Sequence, residues 1–388
     1  SGELERRVAR DELESELSQM IAEAEADRVN RALNRFKEQH LFRIDLRHVL
    51  GHCGPFGSFS TEVTELAEIV VEAAAIRAWQ QLSAMHGVPI GADGQECAFV
   101  IAALGKFGGV EMGFASDIEM FVIFQEDGET SGAAAISTAN FFERLAGLIT
   151  RAIEARHKGI LEVDLRMRPY GQAGSPAVSA ATFQRYFGPE GDAWPYERQS
   201  LVKMRCIGGN AAFAAKLICI RDDLIFSPQC FDFSAMRAMR EKQIRQLVHG
   251  GTINAKLSEG GLVDCEYAVQ ALQLTFGKQH PNLRASNTLA ALSAAGAAGL
   301  LTDSQLATAQ EAYMFLREVI DCLRMVRGNA QDLTVPATDS ADYVQLAKRM
   351  DKVHDSEVPL ASLESQMQHV RLFSQQVERL CGDATTYE

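Results

Sequence analysis

The sequence lacks the marks of a secreted or membrane-spanning protein. Nothing at its N-terminus resembles a signal peptide, and no apolar run reaches the roughly 18 residues that span a membrane. The best candidate for a membrane span, residues 289–301, is short and consists mostly of Ala and Gly. Eight cysteines without a CxxC pair argue against a disulfide framework or a zinc knuckle. We therefore expect a cytoplasmic protein without a membrane partner.

Basic charge is scarce, and so are the motifs of several common enzymes. The 38 Lys and Arg residues stand against 51 Asp and Glu residues, a net charge of −13. This argues against a nucleic-acid partner, which needs a broad basic surface, but leaves room for one nucleotide in a local basic pocket. No GxSxG, HExxH or H-R-D motif occurs, so the corresponding hydrolase and kinase mechanisms lose support.

The 388 residues divide by pattern into three predicted domains. A charged amphipathic pattern predicts helix from the N-terminus to Leu50, and a second helix follows it. Short apolar runs predict strands near the middle, and helical patterns return afterwards, most clearly at residues 303–327. We predict an α+β protein with an N-terminal helical segment, an α/β domain and a C-terminal helical domain, at residues 1–95, 96–228 and 229–388.

A glycine-rich turn follows the first predicted strand of the α/β domain. The apolar run at residues 97–104 predicts a buried strand. After it, Gly105, Gly108 and Gly109 let backbone N–H groups approach a phosphate closely, and Lys106 adds a positive charge. The turn matches neither the P-loop nor the GxGxxG pattern, so the glycines alone are weak support for nucleotide binding.

Two acidic residues begin the next predicted strand, residues 117–124. Asp117 and Glu119 are two residues apart on a strand, so their carboxylates project from the same face. Two clustered carboxylates repel each other unless a cation joins them, and their hard oxygen ligands favour Mg²⁺. The pair therefore predicts a metal site.

A third carboxylate lies in the alternating pattern of residues 160–168, which predicts another strand. Asp164 stands on its polar face together with Arg166 and Arg168, which are placed to hold a polyphosphate. A glycine turn, an Asp-x-Glu pair and a lone Asp on a neighbouring strand are the layout of a two-metal nucleotidyl-transfer site. The competing interpretation is that these acids are strand-end residues in ion pairs with nearby Arg and Lys.

Longer segments resemble the glutamine-synthetase adenylyltransferase family, whose catalytic domains belong to the DNA-polymerase-β-like nucleotidyltransferase superfamily. The resemblance spans about residues 35–330 in the expected order. It is carried by residues 35–44, 104–124, 162–171, 194–205 and 256–267, and more loosely by 312–317. Family members usually carry two catalytic domains, whereas this sequence has one, so it resembles a single catalytic half.

The resemblance implies a fold and a set of site residues. The fold would be a polymerase-β-like α/β unit with a mixed sheet, flanked by helical segments and followed by a helical bundle. The implied catalytic and metal-binding triad is Asp117, Glu119 and Asp164. The implied nucleotide-binding residues are Gly105, Lys106, Gly108, Gly109, Ser116, Arg166 and Arg168. The family usually has Asp where this sequence has Glu119, a change that the superfamily pattern tolerates.

The resemblance also implies a function, with alternatives. The first is Mg²⁺-dependent transfer of AMP from ATP to a tyrosine of glutamine synthetase, which regulates nitrogen assimilation. The second is the removing half of the same family, in which phosphate releases the AMP as ADP. The third is a non-catalytic module that senses a nucleotide. Glutamine synthetase, a nucleotide and a nitrogen-signalling regulatory protein are the implied partners.

Two further charged pairs are open to more than one interpretation. Lys203 and Arg205 follow Trp194 on a predicted helix, where they are either surface charge or phosphate ligands. Asp264 and Glu266 form another Asp-x-Glu pair, but in a predicted helix, where residues two apart point away from each other. For them we expect helix capping or a polar contact with the catalytic cleft, not a second metal site.

Overall fold

A computed structural model describes residues 2–92, 94–156, 159–226, 233–329, 332–354 and 360–386. The chain folds into two compact units, each described separately below. The first comprises Ser1–Ala193 and Lys203–Arg221, and the second comprises Trp194–Val202 and Asp222–Glu388. In the part of the chain that the structure describes, no helix is long and apolar enough to cross a membrane.

Helices make up most of the described residues. In chain order they are α1 (Gly2–Glu5), α2 (Arg10–Glu23), α3 (Val29–Val49), α4 (Ser58–His86), α5 (Gly105–Gly108), α6 (Thr138–Ala152), α7 (Ala180–Phe187), α8 (Pro195–Ser200), α9 (Ala211–Ile225), α10 (Phe233–Leu247), α11 (Leu262–Phe276), α12 (Thr288–Ala297), α13 (Asp303–Arg327), α14 (Ala341–His354) and α15 (Leu360–Thr386). Short 3₁₀ turns lie at Gly171–Ala173, Leu201–Lys203 and Pro281–Arg284.

The strands form one mixed sheet and a small two-stranded ribbon. They are β1 (Pro89–Ile90), β2 (Phe99–Ala103), β3 (Ile118–Phe124), β4 (Glu129–Thr130), β5 (Val163–Asp164), β6 (Ala177–Ser179) and β7 (Arg205–Ile207). The sheet order is β5-β3-β2-β7, with β6 also on β3, and the ribbon pairs β1 with β4. β2 is antiparallel to β3 and β7, whereas β5 and β6 run parallel to β3. The fold is therefore α+β with a mixed sheet, as predicted.

The first unit has one hydrophobic core beneath the sheet, to which the N-terminal helices contribute. β2 and β3 are almost wholly buried, which explains their continuous apolar runs. Helix α6 adds Phe141, Phe142 and Ile149 to this core. Ser137 caps the N-terminus of α6, where its hydroxyl accepts a hydrogen bond from the Asn140 N–H. Leu17 of α2 and Leu66 of α4 belong to the same core. The N-terminal helices thus pack as part of the unit that carries the sheet.

Two sequence predictions for the first unit were wrong in extent. The predicted helix that continues to Leu50 is interrupted between α2 and α3. The alternating residues 160–168 form a strand only at Val163–Asp164. The pattern is broken because Leu161 has a left-handed φ of 47° and the Arg168 guanidinium binds the backbone carbonyls of Leu165, Gln172 and Gly174, which turns the chain back on itself.

The second unit is a helical bundle with its own hydrophobic core. Helices α11, α13 and α15 pack against one another, and α14 packs on α13. The centre contains buried residues such as Leu272, Leu316, Ile320 and Val370. The long helix predicted at residues 303–327 is confirmed. A capping box begins it, in which the Thr302 hydroxyl accepts from the Gln305 N–H and the Gln305 side chain accepts from the Thr302 N–H.

Candidate active site

The backbone register brings the three predicted acidic residues to one edge of the sheet. Glu119 of β3 and Asp164 of β5 are direct partners in the parallel pair, so their side chains leave the sheet on the same face. Asp117 comes one residue before β3. It and Glu119 are partly exposed, while Ser116, Ile118 and Met120 between and beside them are buried. This alternation places Asp117 on the same face as Glu119.

Arg166 neutralises Asp164 within this acidic edge. Its Nε lies 2.9 Å from both Asp164 oxygens, its Nη2 lies 2.6 Å from Oδ2, and its backbone N–H donates to Oδ1 at 2.8 Å. Burial by itself would raise the pKa of Asp164, but the hydrogen bonds from Arg166 outweigh it and hold that pKa below its ordinary value.

The same guanidinium is in the electrostatic field of all three acids. The pKa of Arg166 is raised first by its hydrogen bond to Asp164 and by the charge of that residue, and further by the charges of Asp117 and Glu119. The charges of all three carboxylates therefore act on the Arg166 guanidinium, although only Asp164 is hydrogen-bonded to it in the contacts described above.

The glycine-rich turn begins directly beside Glu119. The Leu104 N–H donates to the Glu119 carbonyl at 2.9 Å, and the turn α5 follows. A Cβ atom added to Gly105 would lie 1.5 Å from Glu119 Oε2, and Gly105 has a left-handed φ of 51°. The left-handed φ favours glycine at this position, and a Cβ there would displace the flexible end of the Glu119 side chain. The first glycine of the turn thus lies directly against the Glu119 carboxylate.

Gly108 is required for a different close approach. A Cβ atom there would lie 2.0 Å from the Lys203 carbonyl oxygen and 2.6 Å from the Ala103 carbonyl oxygen. The turn therefore packs against the backbone that leads into β7, with no space for a side chain.

The other predicted nucleotide-binding residues are placed as follows. Lys106 lies in the turn, and its Nζ is shielded from solvent. Ser116 is 5% exposed, and its hydroxyl accepts a hydrogen bond from the Gly113 N–H at 2.9 Å. Arg168 holds its own loop together through the three carbonyls named above, and burial lowers its pKa. A phosphate contact for these residues stays a prediction.

The helix predicted around Lys203 and Arg205 was wrong, and neither side chain is free surface charge. Helix α8 ends at Ser200, a 3₁₀ turn ends at Lys203, and Arg205 begins β7. Lys203 forms a buried ion pair with Glu111, whose N–H donates to the Lys106 carbonyl at 2.8 Å. Arg205 binds the Phe107 and Gly108 carbonyls and the Glu68 carboxylate. Both residues hold the glycine turn from within the protein.

Sequence reasoning missed Glu68 and Glu111 as parts of this site. Glu111 lies within the segment that carries the family resemblance, but the pattern gave no reason to distinguish it from a surface acid. Glu68 lies in the middle of α4 and contacts Arg205 at a separation of 137 residues. No local pattern indicates such a contact. Only its burial, at 7% exposure, marks it as an unusual glutamate.

The donor chemistry of the site suits a hard divalent cation, but the acids are not gathered around one. Among the described residues, no three His, Cys, Asp or Glu side chains are positioned to hold a metal ion together. Asp117 and Glu119 supply carboxylate oxygens on one face, which fits Mg²⁺. Asp164 is bound to Arg166, and in this arrangement it fits a guanidinium instead of a metal.

Two families whose names describe nucleotidyl transfer match the chain. The profile of glutamate-ammonia ligase adenylyltransferase matches residues 2–218. The profile of GlnD PII-uridylyltransferase matches residues 234–384. Because the first match covers more than half of the sequence, the chain belongs to the glutamate-ammonia ligase adenylyltransferase family.

Curated relatives agree with this assignment and are much longer than the chain. It is 28% identical over 407 residues to the bifunctional glutamine synthetase adenylyltransferase/adenylyl-removing enzyme of Shewanella woodyi, covering 97% of this chain and 41% of the relative. The relative of the same name from Burkholderia mallei is 30% identical over 377 residues, with coverages of 89% and 40%. The one from Pseudomonas aeruginosa is 33% identical, with coverages of 76% and 32%.

Proposed function

We propose that the chain is a catalytic half of a glutamine-synthetase-modifying enzyme, which moves AMP between a nucleotide and a tyrosine hydroxyl of glutamine synthetase. Its catalytic unit would be of the polymerase-β-like nucleotidyltransferase type. The observation that carries the proposal is the register of β3 and β5, which puts Glu119 beside Asp164 with Asp117 on the same face and the glycine turn adjoining. The family assignment supports it.

The reaction would be an in-line displacement at the α-phosphorus. In the transfer direction the tyrosine oxygen attacks the α-phosphorus of ATP, the bond to the β-phosphate oxygen breaks, and pyrophosphate leaves. In the removing direction inorganic phosphate attacks the α-phosphorus of the tyrosine-bound AMP and the bond to the tyrosine oxygen breaks. The tyrosine oxygen takes up a proton to restore the hydroxyl, and ADP is the product. Neither reaction needs a covalent enzyme intermediate. Catalysis therefore depends chiefly on positioning and on charge stabilisation.

The residues of the acidic edge and the turn would divide these tasks. Asp117 and Glu119 would hold Mg²⁺, with Asp164 as a third ligand after it leaves Arg166. Bound Mg²⁺ supplies positive charge that offsets the phosphates. The backbone of the glycine turn and the Lys106 ammonium would bind the phosphate chain. Arg166 is exposed and near the three acids, so it is placed to meet an incoming phosphate once Asp164 no longer binds it.

The decisive experiment compares both directions with the same protein. The chain is incubated with Mg²⁺, ATP labelled at the α-phosphate and unmodified glutamine synthetase, and label on the synthetase is measured. A parallel sample contains adenylylated synthetase and inorganic phosphate, and released ADP is measured. Labelled synthetase in the first assay would show that the chain transfers AMP, the first alternative given above. Released ADP in the second assay would show that it removes AMP.

An Asp117→Asn variant serves as the matched control in both assays, because it removes one carboxylate charge and keeps the side-chain shape. Activity of the wild type that disappears in Asp117→Asn supports the proposed site. If neither assay shows turnover while Mg–ATP still binds, the chain is a nucleotide-sensing module and the catalytic proposal is wrong.

A further inference from the structure

Arg205 contacts the end of the glycine turn through two backbone carbonyls. Its Nε donates to the Gly108 carbonyl at 3.1 Å, and its Nη2 donates to the Phe107 carbonyl at 3.2 Å. These carbonyls belong to the last two residues of α5, and that of Phe107 also accepts from the backbone N–H of Gly109. A guanidinium presents several donors in a fixed planar arrangement, so it can hold two neighbouring carbonyls and a carboxylate at once.

The third acceptor of Arg205 is Glu68, and Glu68 is shared with the N-terminal helix α2. Arg205 Nη2 donates to Glu68 Oε1, and Arg10 Nη1 donates to Glu68 Oε2 at 2.6 Å. Arg10 also reaches Glu72 at 2.9 Å and Glu14 at 2.7 Å. A buried carboxylate between two guanidinium groups is well compensated, and loss of either partner is costly. A continuous series of charged contacts thus runs from α2 to the glycine turn.

We propose that Arg205 is a positioning residue that fixes the Gly105–Gly108 turn for nucleotide binding, and that Glu68 holds Arg205 in place and couples the turn to α2 through Arg10. The nucleotide part rests on the proposed function, whereas the positioning part rests on the contacts themselves. Gly108 supports the proposal because a Cβ there would meet the Lys203 carbonyl oxygen at 2.0 Å, which shows that the turn is closely packed where Arg205 binds it.

The chain offers a matched control one helical turn away from Glu68. Glu65 also lies on α4 and also accepts a hydrogen bond from an arginine of the N-terminal region, Arg7. Glu65→Gln therefore removes an N-terminal ion pair without touching Arg205. Glu68→Gln removes the same kind of ion pair together with the support of Arg205. Arg205→Lys keeps the positive charge but loses the planar arrangement of donors.

The test measures amide hydrogen exchange of the full chain by mass spectrometry, together with the dissociation constant for Mg–ATP. We expect Glu68→Gln and Arg205→Lys to speed exchange at residues 105–109 by about tenfold, comparable to the loss of one charge-assisted hydrogen bond. Mg–ATP binding should weaken by a similar factor. Glu65→Gln should change both quantities by less than about twofold.

The outcomes separate the positioning role from the proposed function. Faster exchange confined to the turn, with unchanged Mg–ATP affinity, supports the positioning role and overturns the role of the turn in nucleotide binding. Unchanged exchange at the turn in both variants overturns the positioning role, and so does an equal increase throughout β2 and β3. If Glu68→Gln does not fold, Arg10→Gln tests the same coupling from its exposed end, and an unchanged turn there overturns the coupling to α2.

Discussion

Two Asp-x-Glu pairs of the sequence, Asp117 with Glu119 and Asp264 with Glu266, each follow a glycine-containing turn, and their surroundings differ. Asp117 and Glu119 lie at the start of β3, where residues two apart share a face and both carboxylates reach the sheet edge. Asp264 and Glu266 lie in the first turns of α11, where residues two apart diverge. The same Asp-x-Glu pattern therefore places two carboxylates together at β3 and points them apart in α11.

The contacts of Asp264 show what a structural aspartate looks like here. Its Oδ1 forms an ion pair with Arg240, and its Oδ2 accepts from the Gly260 N–H at 2.6 Å. Arg240 also donates to the Leu257 and Ser258 carbonyls. Asp264 binds the N–H of Gly260, the residue before the N-cap Gly261, so it closes the turn before α11 but makes no helix-capping hydrogen bond. Asp117 instead stands at a sheet edge with two further acids. The difference teaches that secondary structure decides which acidic pairs act together.

The largest effect should follow from Asp117→Asn. We expect turnover in the active direction to fall by about 10³-fold, because the change removes charge stabilisation from the reacting centre. Thermal unfolding should stay close to that of the wild type, since Asp117 is partly exposed at the sheet edge. Initial-rate assays and calorimetry measure the two quantities. A variant with near-normal turnover would remove Asp117 from the mechanism.

Asp264→Asn should give the opposite result. The variant leaves the Arg240 guanidinium, whose side chain is only 9% exposed, without its counter-ion, so we expect the free energy of unfolding to fall by about 2–3 kcal/mol. Turnover of the folded fraction should change by less than about threefold. Urea unfolding measures the stability change. Glu259→Gln, an equal change of charge at an exposed residue of the same turn, is the control. Lost turnover with unchanged stability would mean that Asp264 belongs to the catalytic site.

Much of the first unit could be predicted because its elements are specified by local sequence. The apolar runs of β2 and β3 and the helical spacing of Phe141, Phe142 and Ile149 are local signals, and the structure contains these elements. The family resemblance added the order of the motifs. The register that places Glu119 beside Asp164 joins residues far apart in the sequence, so the pattern predicted two neighbouring strands but not which residues pair.

The unpredicted parts depend on long-range contacts or on backbone conformation. The local sequence around Arg205 is compatible with an ordinary surface charge. Only the fold brings its guanidinium to the carbonyls of α5 and to Glu68. Backbone conformation explains why the strand predicted at residues 160–168 is shorter in the structure. An alternating pattern of apolar and polar residues gives no sign of the left-handed backbone at Leu161. Roles of residues in binding a nucleotide remain predictions.

Variants of Glu119 test whether the charge or the length of this side chain matters more where β3 pairs with β5. Glu119→Asp keeps the charge and shortens the side chain by one methylene, so we expect it to retain at least about a tenth of the wild-type turnover. Glu119→Gln keeps the length and loses the charge, and should lose about 10²-fold. Parallel initial-rate measurements compare the two variants. Equal losses would show that the distance from the strand is as important as the charge.

Gly105→Ala examines why the turn beside this pair needs glycine. Gly105 and Gly171 have nearly the same left-handed φ, 51° and 54°, but a Cβ at Gly105 meets Glu119 Oε2 whereas nothing lies within 4 Å of one at Gly171. Both variants carry the backbone strain of about 1 kcal/mol, and only Gly105→Ala displaces a site carboxylate. We expect about tenfold lower turnover for Gly105→Ala and near-normal turnover for Gly171→Ala. Equal turnover in the two variants would contradict the proposed contact.

The smallest effect on stability should come from Arg166→Gln, which breaks the ion pair with Asp164. The variant for comparison is Arg240→Gln, which breaks the ion pair with Asp264. The Arg166 side chain is 67% exposed and that of Arg240 is 9% exposed. The Asp164 side chain is 11% exposed but keeps the hydrogen bond from the Arg166 backbone N–H in the variant, so Arg166→Gln should lower the unfolding midpoint in urea only slightly, whereas Arg240→Gln should lower it clearly. Because Arg166→Gln also releases Asp164 from its guanidinium, Mn²⁺ used as a spectroscopic probe should bind severalfold more tightly to this variant than to the wild type. Weaker Mn²⁺ binding would show that Arg166 supports the acidic edge in its metal-binding arrangement instead of competing with the metal for Asp164.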